Sequence, residues 1–442
     1  MSNGQHRQYV QQFDSIGPTL AGANLPWLAA RRRTALAQFD VSGFPSPRDE
    51  EWKYTNVSAI EKKLFRQQAT ADLPSRIDPG LIDRYRLTDA WALVFVNGIF
   101  SPELSDIADL PAGVTATPMS RALAEMPQPV ERAFGQACAH EHHGFVAFNT
   151  AFFGEGLFLC VPADCVLDRP VQLLQVSTQN DTAANLRNLI VLDAGAQATL
   201  IEIFVGQPGN STLTTSVTEV LVAENASLDC YSLQNEADRG FLFGGLYASV
   251  GPSGRFDHTN LSLGGLLVRQ EIHADLGEAA QCNLNGLFLG RQRQHVDNHT
   301  LIHHRAPRGT SREHYRGILS DRARGVFQGR IVVHPDAQKT DAQMNNRNLL
   351  LSDDAEIDTK PQLEIHADDV KCAHGVAIGQ LDPQSVFYLE SRGVDSESAR
   401  NMLTFAFANA MVEQIRLPSV KSLAQDELLA LFPQAGIRKD WL

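Results

Sequence analysis

The densest cluster of side chains able to take a metal or sulfur is Ile365-His366-Ala367-Asp368-Asp369-Val370-Lys371-Cys372-Ala373-His374-Gly375. Cys372 and His374 stand two apart, so on an extended strand both side chains leave the same face. A thiolate beside an imidazole suits a soft or borderline metal such as Fe(II) or Zn(II). His366 and Asp368 repeat that spacing. Lys371 and a protonated His374 would favour the Cys372 thiolate. The segment by itself does not assemble four ligands, and a core cysteine beside a corner histidine is the competing reading.

A second cluster holds His295, Asp297, His299, His303 and His304. Spacing of four places His295, His299 and His303 together on a strand or a helix. Arg291, Arg293, Arg305 and Arg308 crowd the same segment and weaken metal capture, so a histidine-rich polar face is the expected meaning. His140, Glu141, His142 and His143 read as a polar linker. The six cysteines, Cys138, Cys160, Cys165, Cys230, Cys282 and Cys372, form no CxxC, so neither a closed zinc knuckle nor a thioredoxin-type pair is indicated. Cys160 and Cys165, astride Pro162, read as packing residues. There is no phosphate-binding Gly-x-x-x-x-Gly-Lys-Ser/Thr loop and no strand-to-helix GxGxxG, so ATP hydrolysis is not expected. A GxSxG elbow, an HExxH pair and an EF-hand loop are also missing.

The elements that must hold these residues change character along the chain. Residues 1–140 read as a mostly helical region: residues 26–39 place Trp27, Leu28, Leu36 and Phe39 on a helix that stops at Gly43. From residue 141 to 390 short apolar or alternating runs recur, among them Phe145–Phe148, Leu157–Val161, Val171–Val176, Leu189–Leu192, Thr199–Val205 and Leu228–Leu233. Gly, Asn, Asp and Pro lie between them, which is the pattern of β-strands and turns. Val191–Leu200 is echoed by Leu221–Leu228, with Ala196 and Ala226 in the same phase, and Glu271-Ile272-His273-Ala274-Asp275 returns as Glu364–Asp368. Such echoes favour the stacked coils of a parallel β-helix over a β-sandwich. The β texture is expected to end near Phe387-Tyr388-Leu389. In residues 391–442, Asp395 and Ser398 mark a helix start. Ala399, Met402, Leu403, Ala406, Ala410, Met411 and Ile415 then recur at helical spacing as one buried stripe. A second helix covers Leu423–Phe432, and off-stripe Phe405 and Phe407 leave a further apolar side for a partner.

Composition excludes other classes. A formal charge of −13 argues against a chain that grips nucleic acid, because phosphate contacts need concentrated positive charge; Arg31-Arg32-Arg33 reads as a solvated helix face. No run of about 18 apolar residues predicts a membrane span, and no signal peptide follows Met1, so a cytoplasmic setting is expected. A β-helix carbohydrate-active enzyme is the alternative enzyme reading, but no secretion signal supports it and aromatics make up only 7% of the chain. A stand-alone metal enzyme built on His366, Asp368, Cys372 and His374 is another.

Two motifs resemble a known family. Gly43-Phe44-Pro45-Ser46-Pro47-Arg48 followed by Glu51-Trp52-Lys53-Tyr54-Thr55 resembles the N-terminal motif of the SufB/SufD family of iron–sulfur cluster assembly scaffolds. Ala367–Gly375, continuing through Phe387-Tyr388-Leu389-Glu390-Ser391-Arg392-Gly393, is similar to its C-terminal signature. The likeness runs from about residue 20 to the end, and the Trp-Lys-Tyr-Thr segment points to the SufD branch, with a SufB-like paralogue as the alternative.

The resemblance implies a right-handed parallel β-helix between helical regions, and a non-catalytic role. It implies pairing with SufB through the β-helix and docking of the ATPase SufC on the C-terminal helices, where Ala399, Met402, Leu403, Met411 and Ile415 fall. Sulfur would come from SufS with SufE or SufU by way of SufB. His374 matches the family histidine that faces a SufB cysteine across a transient iron–sulfur cluster, and Cys372 matches a less critical family cysteine. No tightly bound cofactor is implied for the isolated chain; flavin association with the complex, and a homodimer of the isolated chain, are compatible with the resemblance.

Overall fold

A computed structural model describes residues 6–67, 77–138 and 143–432. Successive strands are dealt alternately to two ten-stranded sheets. Ser227–Asn235, for instance, pairs in parallel with Gln197–Gly206 before it and Arg255–Ser262 after it, while Thr212–Val222 goes to the opposite sheet. Each coil thus adds one strand to each sheet, and the chain from Leu157 to Gly379 winds as a parallel β-helix. Period-2 alternation makes this workable, because the inward set of every strand meets the inward set of the facing sheet. One inward column runs Ala198, Leu228, Phe256, Cys282, Ser311, Ala342 and Cys372 through consecutive coils.

The Ala196 and Ala226 echo is one coil of this register: the Ser227 N–H donates to the Ala196 carbonyl at 2.8 Å, and both alanines are buried. The Glu271–Asp275 echo is corrected. Its first copy lies on Leu267–Leu276 and the start of its second, Glu364 and Ile365, on a strand of the same sheet, but the pairing aligns Glu364 with Asp275 through Val332 and His303, four residues out of phase. Inward and outward alternation survives a shift of four, so composition repeats without the register repeating.

One corner explains how the coils turn. Asp164, Gly195, Asn225, Ser253, Ala279, Arg308 and Lys339 all adopt left-handed backbone with φ between 53° and 71°. The N–H of each donates to a carbonyl of the next coil, from Ala194 and Glu224 to Asp369, at 2.6–3.0 Å. A left-handed residue is unfavourable for most side chains, and here each is held by a hydrogen bond across coils.

Before the solenoid, helices His6–Ile16 and Pro26–Ser42 pack with Gly144–Phe152 around Tyr9, Phe39, Phe44 and Phe148. The expected strand Phe145–Phe148 is therefore corrected to helix. It is apolar on every side and buried except at Thr150, a case in which periodicity cannot separate strand from helix. Gly144 is required there, since a Cβ would stand 2.0 Å from the Gly43 carbonyl oxygen. Within the first 140 residues, Trp91–Val96 already pairs in parallel with Val171–Ser177, and Thr115–Pro118 pairs with Leu157–Val161.

Strand structure ends at Gly379, not at Leu389. Asp382 accepts from the Gln384 and Ser385 N–H groups, Pro383 opens the first turn, and Pro383–Ser391 is a helix. Ser396–Val412 follows, with Asp395 accepting from the Ser398 N–H at 3.0 Å, and then Pro418–Leu431. These last two helices bury Phe405, Ala408, Met411, Val412 and Leu428 against Leu287, Leu289, Ile318 and Leu349 on the outside of the solenoid. Among the described residues no helix is long and apolar enough to cross a membrane.

Candidate functional site

The Cys372/His374 segment lies where the solenoid stops. Glu356–Ile365 and Lys371–Gly379 are the terminal strands of the two sheets, each with one parallel neighbour. Their far edges therefore carry backbone N–H and C=O groups with no strand partner among the described residues, the condition that invites strand addition. Cys372 and His374 align with Ala342 and Met344, both core residues, so their side chains share the inward face, as their spacing predicts. In earlier coils this face is sealed by the next coil. Here His374 is exposed, Cys372 is half-buried, and Ile365, Val376 and Ile378 are 40–50% exposed.

Two expectations for this segment are corrected. Lys371 has the opposite parity, and burial pushes the Cys372 thiol up, offset only in part by a hydrogen bond with the Ala342 backbone. The side chain is thus a thiol in the isolated chain. His366 and Asp368 fall in the turn between the terminal strands, where the same-face rule for strands does not apply.

The other histidines find partners elsewhere. His295, His299 and His303 share the outer face of their strand; His304 points inward and meets the Ser311 hydroxyl at 2.9 Å. His303 lies 3.2 Å from His334, and burial pushes its pKa down to about 4. No group of three or more His, Cys, Asp or Glu able to hold a metal ion occurs among the described residues. His140, Glu141 and His142 lie outside the described residues. All six cysteines are free, Cys160 and Cys165 included.

The residues expected to meet a partner divide. Ala399, Met411 and Ile415 are at most 3% exposed and packed within the chain; Met402 and Leu403 are half-buried. Leu403 and Phe407 line a groove of about 350 Å³ with Ile378, Leu381 and Arg347. The open apolar surface nearby belongs to Phe387 and Tyr388, which are 70% and 56% exposed on Pro383–Ser391.

Residue patterns did not reveal a charged network under the Gly43–Thr55 segment. Arg269 Nη1 bonds Asp297 Oδ2 at 2.6 Å, its Nη2 bonds Glu271 Oε1 at 2.6 Å, and its guanidinium carbon lies 3.7 Å from the Trp52 ring centroid. Arg269 also donates to the Glu51 carbonyl, Thr55 donates to Asp297, and His143 Nε2 stands 3.0 Å from Glu271. Arg269, Glu271 and Asp297 are all buried. Burial opposes ionisation of Glu271, yet His143 and Arg269 hold its carboxyl well below the usual carboxylate range. Asp297 is depressed against burial in the same way by Arg269 and His299. The available signal was the alternation of Arg269, Glu271 and His273 on one outward strand face, which demands a polar cover.

Comparison with known proteins agrees with this architecture. The family described as "SufBD protein N-terminal region" matches residues 3–173, and that described as "SUF system FeS cluster assembly, SufBD core domain" matches residues 175–407. An iron–sulfur cluster assembly SufBD family protein of Synechocystis is 32% identical over 407 residues, covering 89% of each chain. The iron–sulfur cluster assembly protein SufD of Escherichia coli is 31% identical over 394 residues, covering 87% of this chain and 89% of its own. SufD of Bacillus subtilis is 26% identical over 420 residues, covering 89% and 92%. The chain belongs to the SufBD family of the SUF iron–sulfur cluster assembly system.

Proposed function

We propose that the chain is a non-catalytic scaffold subunit for iron–sulfur cluster assembly, working in the SufD position beside SufB and SufC. The observation that carries the reading is the open end of the solenoid. Two terminal strands, whose far edges have no strand partner among the described residues, surround inward-facing Cys372, His374, Val376 and Ile378, which a second β-helix would cover. Adding strands there extends both sheets and removes apolar surface from water. His374 then lies between the two subunits as one ligand of a transient cluster, which is cargo and not a resident cofactor. Splitting the ligands between subunits lets a movement of the pair release the cluster without breaking every bond at once.

SufC docks in this reading on the C-terminal helices. The exposed side chains Phe387 and Tyr388, with Leu403 and Phe407 in the adjoining groove, supply the contact. Ala399, Met411 and Ile415 support that surface from beneath. Sulfur reaches the cluster from SufS, with SufE or SufU, through SufB. An isolated chain pairs with itself through the same open end.

The test is co-purification of the chain with SufB and SufC, followed by cluster reconstitution. Wild type and His374→Ala are both expected to form the complex, and only wild type should accumulate the cluster's visible absorbance. Failure to capture SufB and SufC removes the scaffold reading. Full loading of the His374→Ala complex removes the role of His374 alone.

A further inference from the structure

Four histidines follow one another along neighbouring strands of one sheet. His273 lies on Leu267–Leu276, His303 on His295–His304, His334 directly after Arg324–Val333, and His366 directly after Glu356–Ile365. Backbone bonds between coils fix the order: the His334 N–H donates to the His304 carbonyl at 3.0 Å, and the His366 N–H to the Val333 carbonyl at 2.9 Å. In the middle of the row two imidazoles meet. His303 Nδ1 stands 3.2 Å from His334 Nε2, with the ring planes inclined at 38°. Both residues are half-buried, so solvent reaches the pair.

That separation is also the one two ligands of a single metal ion require. Metal–imidazole bonds of about 2.0–2.1 Å place adjacent nitrogens about 3.3 Å apart at a tetrahedral centre and about 2.9 Å apart at a square one. The protonation states suit the role. Arg305 Nη1 approaches His334 Nε2 at 3.4 Å, and a guanidinium only donates, so Nε2 carries its lone pair. Burial pushes His303 down to about 4, and burial followed by Arg305 pushes His334 down, so both rings are neutral near pH 7, the form that ligates. Arg305 is the opposing feature. It is held by Asp275, which aligns with His303 on the neighbouring strand and accepts from Arg305 Nε at 2.9 Å and Nη2 at 2.8 Å. Both partners of this ion pair are open to solvent, and such pairs contribute little to stability, so the arginine can leave His334 at small cost.

We propose that His303 Nδ1 and His334 Nε2 form a surface site for a borderline divalent transition-metal ion such as Zn(II) or Ni(II), with water completing the shell and Asp275 supplying negative charge beside it. On binding, the His303 proton resides on Nε2, and Arg305 withdraws from His334. The proposal does not depend on the scaffold reading, since neither histidine belongs to the open end.

Zn(II) and Ni(II) are the probes, titrated calorimetrically into the full-length chain, with Mg(II) and Ca(II) as hard-ion controls. A chain carrying Cys372→Ser and His374→Ala serves as a second background, so that the open end cannot account for the uptake. Saturable binding of Zn(II) and Ni(II) is expected in both backgrounds, with none of the hard ions. His303→Ala and, separately, His334→Ala should each weaken it by at least about tenfold. Arg305→Gln should tighten it by about threefold or more, because a cation beside the metal is removed. Circular dichroism melts of the three variants should match wild type. The proposal is overturned by no Zn(II) or Ni(II) binding below about 1 mM, or by equal binding of Mg(II) or Ca(II). It is equally overturned by loss of uptake in the Cys372→Ser, His374→Ala background, by undiminished binding in a folded histidine variant, or by unchanged or weaker binding in Arg305→Gln. The His334→Ala protein, altered in a turn, decides the matter if His303→Ala fails to fold.

Discussion

Replacing Arg269 by Met should loosen the N-terminal segment from the solenoid while leaving the coils intact. Arg269 is buried between Glu271 and Asp297, and its guanidinium covers Trp52 and bonds the Glu51 carbonyl. Met keeps most of the apolar volume, so the loss is electrostatic. Glu271 retains His143, but Asp297 loses its strongest partner while fully buried. Breaking a buried pair on one side costs about 3–5 kcal/mol, and loss of the cation over the Trp52 ring adds about 1–2 kcal/mol. Because solenoid coils contact mainly their neighbours, the loss should stay local. Hydrogen exchange measured by mass spectrometry should therefore speed up by about a hundredfold or more across residues 43–57, with coils beyond Asp341 unchanged. Adding Asp297→Asn removes the stranded charge and should recover at least half of the loss. If exchange in the segment rises less than tenfold, or if the second substitution recovers nothing, the network does not hold the segment in the way argued here.

The interior carboxyl of Glu313, which accepts from the Thr300 hydroxyl, has its pKa raised to about 7 by burial. A raised acid contributes stability that is complete below its unfolded value near 4.5 and is lost as pH rises through about 7, at a cost of about 3 kcal/mol. Glu313→Gln should thus stabilise the protein at pH 8 and change little at pH 4.5; equal urea midpoints at both pH values would contradict this. Phe387→Glu with Tyr388→Glu should weaken SufC capture by about tenfold or more at unchanged thermal stability, which calorimetric titration and a melt together decide. Met411→Glu, by contrast, places a charge at a buried position and should lower the melting temperature itself, so a stable Met411→Glu protein would mean the helix is not packed as described. Asn225→Val, at a left-handed corner, should cost about 1–3 kcal/mol in urea unfolding.

Much of this protein is carried by local pattern. Strand alternation with turn residues between runs makes the parallel β-helix readable, since period-2 burial on both sheets leaves the same signature in every coil. The Cys372/His374 same-face pair follows from the same rule, and Asp395 with Ser398 announces a helix by the hydrogen bond its carboxylate accepts. Ambiguity entered where no side of an element is polar. Gly144–Phe152 is buried except at Thr150, so neither period shows; Phe387-Tyr388-Leu389 misleads for a different reason, three adjacent apolar residues in a largely polar, exposed helix that reads as strand until Asp382-Pro383 is taken as a cap.

What the residues determined on their own was which faces are apolar, where turns and caps fall, and which side chains share a strand face. Only the tertiary structure decided which faces stay uncovered. The alternation at Cys372 matches that at Cys282, yet Cys282 is sealed under the next coil and Cys372 stands at the last one. Met411 and Ile415 look like any apolar helix stripe, and whether that stripe meets a partner or the chain itself depends on the solenoid wall beside it. Arg269, Glu271 and Asp297 are ordinary outward strand residues until a segment more than two hundred positions earlier folds over them. Exposure and charge pairing are properties of surroundings brought together by chain topology, and a one-dimensional pattern carries only the preferences that such surroundings select.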